Sequence, residues 1–332
     1  MKILVLAGGL SPERDVSLSS ASKIAKALIE KGNTVAVLDL YDGIDDVKGL
    51  HFTDDAKEIN DYIVPEKAPD IAGLGNAEAY IGNNVLKCCK MADIVYLALH
   101  GDVGENGKIQ SLLDLYKIKY TGSGYDGCLL SMNKHLAKVL VSANRIKTAK
   151  WCLNEMDHSI SLPCVVKPLG GGSSIGISMV ENLEEYNSAI HEARKYDTDI
   201  LIEERINGRE FSVGILNDKA LPVIEIIPKN NEFYNYKNKY QKNLTNEICP
   251  ADVPKSISDE LQETAEKIHK ILHLKFYSRI DFIVDHKNDV YFLEANALPG
   301  MTPTSLLPQE AAVIGINYED LCNQIAESAL KR

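Results

Sequence analysis

The sequence predicts an α/β protein of two or three structural units, beginning with an open parallel sheet and continuing into antiparallel sheets. Three observations predict it. The chain has 332 residues, enough for two or three domains at roughly 150 residues each. Its first third alternates apolar runs with helical periodicity, and the rest carries short β-rich runs divided by glycines and polar turns.

Taken in order, "KILVLA" is a continuous apolar run and reads as a buried parallel strand. After "GGLSPERD", Leu18, Ala21, Ile24, Ala25, Leu28 and Ile29 recur at helical spacing, and Gly32 supplies the stop. "TVAVLDL" and "DIVYLALHG" are further strands, whose C-terminal ends form the ligand edge of such a sheet. Gly8-Gly9 lacks the G-x-G-x-x-G spacing of a dinucleotide fold. A helical region from Tyr125 to Ala143 follows. "LPCVVKP" and "SIGISMV" then flank a glycine loop, which describes a hairpin flap with no helix after it. "ILIEERI", "REFSVGIL" and "LPVIEIIP" look like an antiparallel set. Residues 230–247 hold six Asn, three Tyr and three Lys without periodicity, which reads as a disordered segment or a functional lid. Ser256 to Leu272 is an amphipathic helix with a capping-box-like Ser256…Asp259 start.

Composition excludes several classes. With 36 basic and 47 acidic residues the net charge is −11, and no basic run supplies a nucleic-acid face. An anionic partner must therefore be captured by local lysines. No stretch approaches 18 apolar residues, so no membrane span is expected. The apolar run of "MKILVLAGG" ends in a glycine turn and is a first strand, not a signal peptide. Seven cysteines without a C-x-x-C pair indicate reduced thiols and a cytoplasmic location.

The most informative stretch is "RIDFIVDHKNDVYFLEAN". Two β-rich runs flank "HKND", so it is a hairpin. With the turn centred on Lys287-Asn288, residues whose numbers sum to 575 face one another: Asp281 opposes Glu294, and Arg279 opposes Asn296. All four then share one face. Directly opposed carboxylates, Cβ atoms about 5 Å apart, should repel. A divalent cation between them resolves this, and oxygen donors favour Mg²⁺ or Mn²⁺ over zinc. Arg279 beside them suits an oxyanion.

Magnesium near a lysine-bearing flap points to a nucleoside triphosphate. Lys167 ends its strand just before Gly170, Gly171 and Gly172, whose N–H groups can close over phosphates, with Ser173 and Ser174 adding hydroxyls. The order, lysine before glycines, describes a lid over phosphates rather than a cradle beneath them.

Eight motifs in order resemble the D-alanine–D-alanine ligase family of ATP-grasp enzymes: "GGLSPERDVSLSS", "LHGDVGENGKIQ", "YTGSG", "SMNK", "KPLGGGSSIG", "KNKY", "SRIDF" and "EANALPGMTPTSL". The resemblance implies a three-domain ATP-grasp fold, with an N-terminal α/β domain (1–122), a central domain with the flap (123–203) and a C-terminal domain with lid 230–247 and the metal site (204–332). It implies ATP and two Mg²⁺ (or Mn²⁺) ions, D-alanine as substrate, a D-alanyl phosphate intermediate, a cell-wall dipeptide product and a homodimer. By motif, Lys134, Lys167, Ser173, Ser174 and Lys239 serve the ATP phosphates and flap, and Glu203 and Glu210 the adenine and ribose. Asp281, Glu294 and Asn296 hold metal. Glu13 takes the first ammonium with His100 nearby, Arg279 and the Gly300 N–H steady the oxyanion, and Ser173 and Tyr240 hydrogen-bond over the substrates. Ser305 and Leu306 receive the second carboxylate. "TPTSL" sets Pro303 and Thr304 beside that pocket, so D-serine, D-lactate or another amino acid stays open as second substrate. A regulatory nucleotide-binding protein and a dehydrogenase are rival classes.

Other candidates read as structural. Ser131-Met-Asn-Lys134 matches S-x-x-K, but no S-D-N or K-T-G follows. His269 and His273, spaced i, i+4 without a third ligand, read as surface histidines, Cys164 and Cys249 as core thiols, and Trp151 as packing near a domain junction. Apart from the resemblance, Glu13 is a helix N-terminal acid favoured by the dipole.

Overall fold

The computed structural model describes residues 1–65, 69, 71, 79–153, 159–172, 175–229 and 245–331. The opening apolar run is strand β1 (Lys2–Ala7), buried from Ile3 onward because parallel neighbours and helices cover both its faces. It lies between β2 (Thr34–Asp39) and β3 (Ile94–Leu97) in a parallel sheet of order β2-β1-β3. Helix α1 (Arg14–Glu30) packs on this sheet, and Gly32 just past its end takes φ +78, a conformation that a side chain disfavours. Three short helices, α2 (Val85–Cys89), α3 (Asp102–Glu105) and α4 (Lys108–Leu115), complete the N-terminal region.

The expected helix over 125–143 is two helices, α5 (Tyr125–Met132) and α6 (Lys134–Ala143). Asn133 breaks them apart: its backbone is extended, and its side chain accepts the Leu136 N–H at 3.0 Å as the cap of α6. The flap reading holds. Strand β5 (Cys164–Pro168) pairs antiparallel with β6 (Ser178–Val180), and together with β4 (Trp151–Cys152) and β7 (Ile200–Glu204) they form a sheet of order β4-β7-β5-β6. Helix α7 (Leu183–Ala193) covers it.

The antiparallel set expected after residue 200 divides between two sheets. Strand β7 stays with the flap, whereas β8 (Gly208–Leu216), β9 (Lys219–Ala220), β10 (Ile224–Pro228), β11 (Thr245–Ile248), β12 (Tyr277–Asp285) and β13 (Val290–Asn296) build a third sheet. Its order is β11-β10-β8-β12-β13, with β9 on β8. Residues 230–244 of the expected lid lie outside the described residues; its last three begin β11.

Helix α8 (Lys255–Ile271) is capped by Pro254, so Ser256 sits inside the first turn and caps nothing. Its His269 is not a surface residue: only 1% exposed, it shares hydrogen bonds with Ser278 Oγ (2.7 Å) and Asp218 Oδ1 (3.2 Å), while His273, past the helix end, is exposed. The period-3.6 pattern placed both on one helix but not the turn at which α8 ends. None of the seven cysteines forms a disulfide; Cys164 is buried and Cys249 half-buried. Trp151 is half-buried and donates to His135 Nδ1 at 2.9 Å.

The C-terminal helices α9 (Leu306–Val313) and α10 (Tyr318–Ser328) return to the first core, where Leu307, Leu321 and Ile325 pack with the β1–β3 side chains. A second core joins α5, α6 and α8 to β8, β12 and β13. Among the described residues, no helix is long and apolar enough to cross a membrane.

Candidate active site

Strands β12 and β13 pair with Arg279 opposite Asn296 and Asp281 opposite Glu294, the predicted register. Nearer the turn the pairing is Phe282 with Phe292 and Val284 with Val290, and a bulge between Asp281 and Phe282 absorbs the one-residue difference. The bulge sits beside the carboxylates and re-aims the strand there.

Asp281 is buried and heavily engaged. Arg279 donates to it twice, Nε at 2.9 Å and Nη2 at 2.8 Å, Ser212 Oγ donates at 2.6 Å and Asn296 Nδ2 at 3.1 Å. Ser212 is fully buried on β8, directly across from Asp281 on the side of β12 away from β13, so it fixes the carboxylate from the neighbouring strand. Among the described residues no three His, Cys, Asp or Glu side chains cluster as a metal site. Two carboxylates and an amide on adjacent strands still make an all-oxygen donor set, which suits a hard ion that keeps several waters.

A cavity of about 440 Å³ opens beside the hairpin. Glu13, His100, Glu105, Gly172, Arg279 and Asn296 line it, with Leu298 to Gly300 and Thr302 to Leu306. Glu13 occupies the N-cap position of α1 yet makes no side-chain cap. Its carboxylate is instead turned outward between Gly101 and Gly172: a Cβ on either glycine would come within 2.7 and 3.3 Å of Glu13 Oε2. The helix-dipole reading of Glu13 thus misses where the side chain points. His100 is buried, 3.3 Å from Ser20 Oγ, and burial pushes its pKa down against the opposing pull of Glu13, so the ring is neutral at pH 7.

Ser305 precedes α9, and its hydroxyl faces Thr302, 3.1 Å from that residue's N and 2.9 Å from its Oγ1. A Cβ on Gly300 would meet Ser305 Oγ at 3.1 Å, so loop and helix start are closely apposed. Pro303 and Thr304 face the cavity. The exposed N–H groups at the start of α9 suit a carboxylate.

The lysines gather on the other side of the flap. Lys134 Nζ donates to the Gly171 carbonyl at 2.8 Å. Lys167 Nζ contacts Glu203 Oε1 at 2.5 Å, and Lys138 ion-pairs with Glu203 Oε2 at 2.9 Å, all three side chains being buried. Burial alone would raise the Glu203 pKa, but the two lysines outweigh it and hold the carboxylate below its usual range. Glu210 lies half-buried on β8, opposite Ile226 and Ile283. Gly170 N–H tethers the flap to Asp197 Oδ2 at 2.8 Å. Ser173, Ser174, Lys239 and Tyr240 lie outside the described residues.

Two clusters therefore meet at the flap: Glu13, His100, Arg279, Asn296, Gly300, Ser305 and Leu306 on the cavity side, and Lys134, Lys167 and Glu203 on the other. Sequence reasoning passed over Glu105 and Lys138. Glu105 accepts the Gly101 N–H at 2.7 Å, and burial, with Glu13 nearby, pushes its pKa up to about 8. Its signal was its place inside the "LHGDVGENG" motif. Lys138 stands one helical turn after Lys134 on the buried face of α6, where a lysine needs a partner.

Two family models match, one described as D-ala D-ala ligase N-terminus over residues 2–123 and one as D-ala D-ala ligase C-terminus over residues 132–327. The D-alanine–D-alanine ligase of Pediococcus pentosaceus is 42% identical over 340 residues, covering 98% of this chain and 96% of the relative. That of Lacticaseibacillus casei is 39% identical over 346 residues, covering 100% and 96%. Among solved structures, a Bacillus anthracis D-alanine–D-alanine ligase superposes with TM-score 0.77 at 26% identity, covering 100% of this chain and 98% of that one. A second structure of that enzyme, complexed with ATP, gives 0.76 at 25% identity over the same shares.

Proposed function

The chain belongs to the D-alanine–D-alanine ligase family of ATP-grasp enzymes, and on that premise we propose that it joins two D-alanines at the expense of ATP for peptidoglycan synthesis. The observation that carries this reading is the convergence on one cavity of a carboxylate from α1 (Glu13), an arginine and an amide from the β12–β13 hairpin (Arg279, Asn296) and the N-terminus of α9. A reaction that draws an ammonium, a developing oxyanion and a carboxylate together needs that set of charges at those places.

Asp281, Glu294 and Asn296 would hold two Mg²⁺ (or Mn²⁺) ions, which offset the charge of the triphosphate. Lys134 and Lys167 take its phosphates, with Ser173, Ser174 and Lys239 closing over them, and Glu203 and Glu210 serve the adenine and ribose. Glu13 binds the ammonium of the first D-alanine, and neutral His100 beside it adds a hydrogen bond without a second charge. The carboxylate of that D-alanine attacks the γ-phosphorus, giving an acyl phosphate and ADP. The second D-alanine, its carboxylate against Ser305 and Leu306 at the start of α9, attacks the acyl carbon with its amine. Arg279 and the Gly300 N–H hold the oxyanion while phosphate leaves. Ser173 and Tyr240 belong to the hydrogen-bonding group above the two substrates.

Arg279 is ion-paired with Asp281 at 2.8 Å. A cation held by Asp281 would supply the charge that this carboxylate now takes from Arg279, whose guanidinium serves the oxyanion. Three units, residues 1–122, 123–203 and 204–332, a cytoplasmic location and a homodimer complete the proposal. The test is phosphate release from Mg-ATP with D-alanine alone, with the product weighed by mass spectrometry. Release accompanied by the dialanine mass supports it. Release only when D-serine, D-lactate or another acceptor is added moves the specificity to the Pro303-Thr304 pocket, and no release with any pair refutes the ligase reading.

A further inference from the structure

The buried ion cluster beneath the flap holds more positive charge than one carboxylate neutralises. Glu203, 3% exposed, stands between Lys167 Nζ and Lys138 Nζ, themselves 3% and 1% exposed, so two lysines share one acid. Burying an unbalanced ammonium is costly unless it is solvated by the protein or meets an anion.

The two lysines solve that problem differently. Lys138 is pinned: besides the ion pair it donates to Thr148 Oγ1 at 2.7 Å and to the Ala149 carbonyl at 3.1 Å, and it lies 5.4 Å from the centre of the Trp151 ring. Thr148 Oγ1 in turn donates to the Phe292 carbonyl at 2.9 Å, on the strand that carries Glu294 and Asn296. An ammonium has three protons, and here three oxygens from two segments, Thr148–Ala149 and β7, surround it. Lys167, at the mouth of the flap, is held among the described side chains by Glu203 alone.

We propose that Lys138 is a positioning residue of the nucleotide site: it keeps a counter-ion on Glu203 while Lys167 leaves that carboxylate for the phosphates. Without Lys138, moving Lys167 onto a phosphate strands a buried carboxylate with no counter-ion, so the two events oppose each other. With it, the move costs one of two ion pairs, and the Thr148–Phe292 link ties Lys138 to the strand that carries Glu294 and Asn296. The inference rests on the nucleotide-site reading of Glu203 and Lys167 given above.

The test is a mutant cycle on Mg-ATP binding, measured by calorimetry and by the KM for ATP against kcat. Trp151, the only tryptophan in the chain, reports through its fluorescence on the same site. Lys138→Met should raise the Kd and KM for ATP about thirtyfold, about 2 kcal/mol, with kcat changed less than about threefold and adenosine binding weakened far less than ATP binding. In a Glu203→Gln background the same substitution should add less than about threefold, because its partner is already uncharged. If Lys138→Met does not fold, Lys138→Gln keeps a donor to Thr148 without the charge and carries the same expectation. An additive loss in the Glu203→Gln background, or equal weakening of adenosine and ATP, overturns the inference and leaves Lys138 a packing residue. Unchanged ATP binding in Glu203→Gln itself refutes the underlying site reading instead.

Discussion

Glu310, on α9, is fully buried, and neither carboxyl oxygen has a hydrogen-bond partner among the described residues. Its Oε2 lies in space that exists only because residue 214 is glycine: a Cβ there would be 2.2 Å away. Burial pushes its pKa well above the usual carboxylate range, with Asp281 pushing the same way and Arg279 opposing. The sign of the linkage follows. The unfolded chain ionises near pH 4.3 while the folded chain keeps the proton, so the folded state binds more protons and loses stability as pH rises. Each pH unit costs at most about 1.4 kcal/mol, or about 4 kcal/mol between pH 5 and 8. Glu310→Met, similar in volume and free of charge, removes the penalty. Urea unfolding of both proteins at pH 5 and pH 8 measures it: the variant should be the more stable at pH 8, by about 1–3 kcal/mol, with a smaller gain at pH 5. A variant less stable than the wild type at pH 8, or a difference independent of pH, would show that Glu310 has a binding partner and that the reasoning fails.

Three further outcomes follow from the same geometry. Gly214→Ala should lose about 1–3 kcal/mol by forcing the Cβ into Glu310 Oε2 and the Leu221 and Leu307 side chains; in a Glu310→Ala background much of the loss should disappear on thermal unfolding. Glu105, with its pKa pushed up to about 8, should contribute a stability that falls as pH rises from about 4.3 toward about 8, so melting curves of Glu105→Gln should be flatter over that window. Glu294→Gln should reduce phosphate release by at least about a hundredfold with the fold intact by circular dichroism; full activity would remove Glu294 from the metal set.

The reach of the sequence depended on whether a pattern is local. The β12–β13 pairing was legible because a four-residue turn between apolar runs fixes the facing residues by counting, and Asp281 did meet Glu294. The count succeeded there only because the bulge after Asp281 offset an error at the turn, and nothing in "DFIVD" announces a bulge. Glu13 shows the opposite limit. At the start of a helix it reads as a dipole partner, and only tertiary folding brings Gly101 and Gly172 against its carboxylate. His269 and Lys138 failed in sequence for one reason: each is a polar residue on the apolar face of a helix, and whether such a residue is paired depends on chain far away, Asp218 and Ser278 for one, Glu203 and Thr148 for the other. Motif order singled out Glu13, His100, Arg279, Gly300, Ser305 and Leu306, and the fold brings all six to one cavity. The supporting residues Ser212, Lys138 and Glu310 answer to packing and to local dielectric instead, which no spacing encodes. A buried charge at an unexplained helical position is therefore the sequence signal to pursue in this fold: it needs a partner, and that of Lys138 is Glu203.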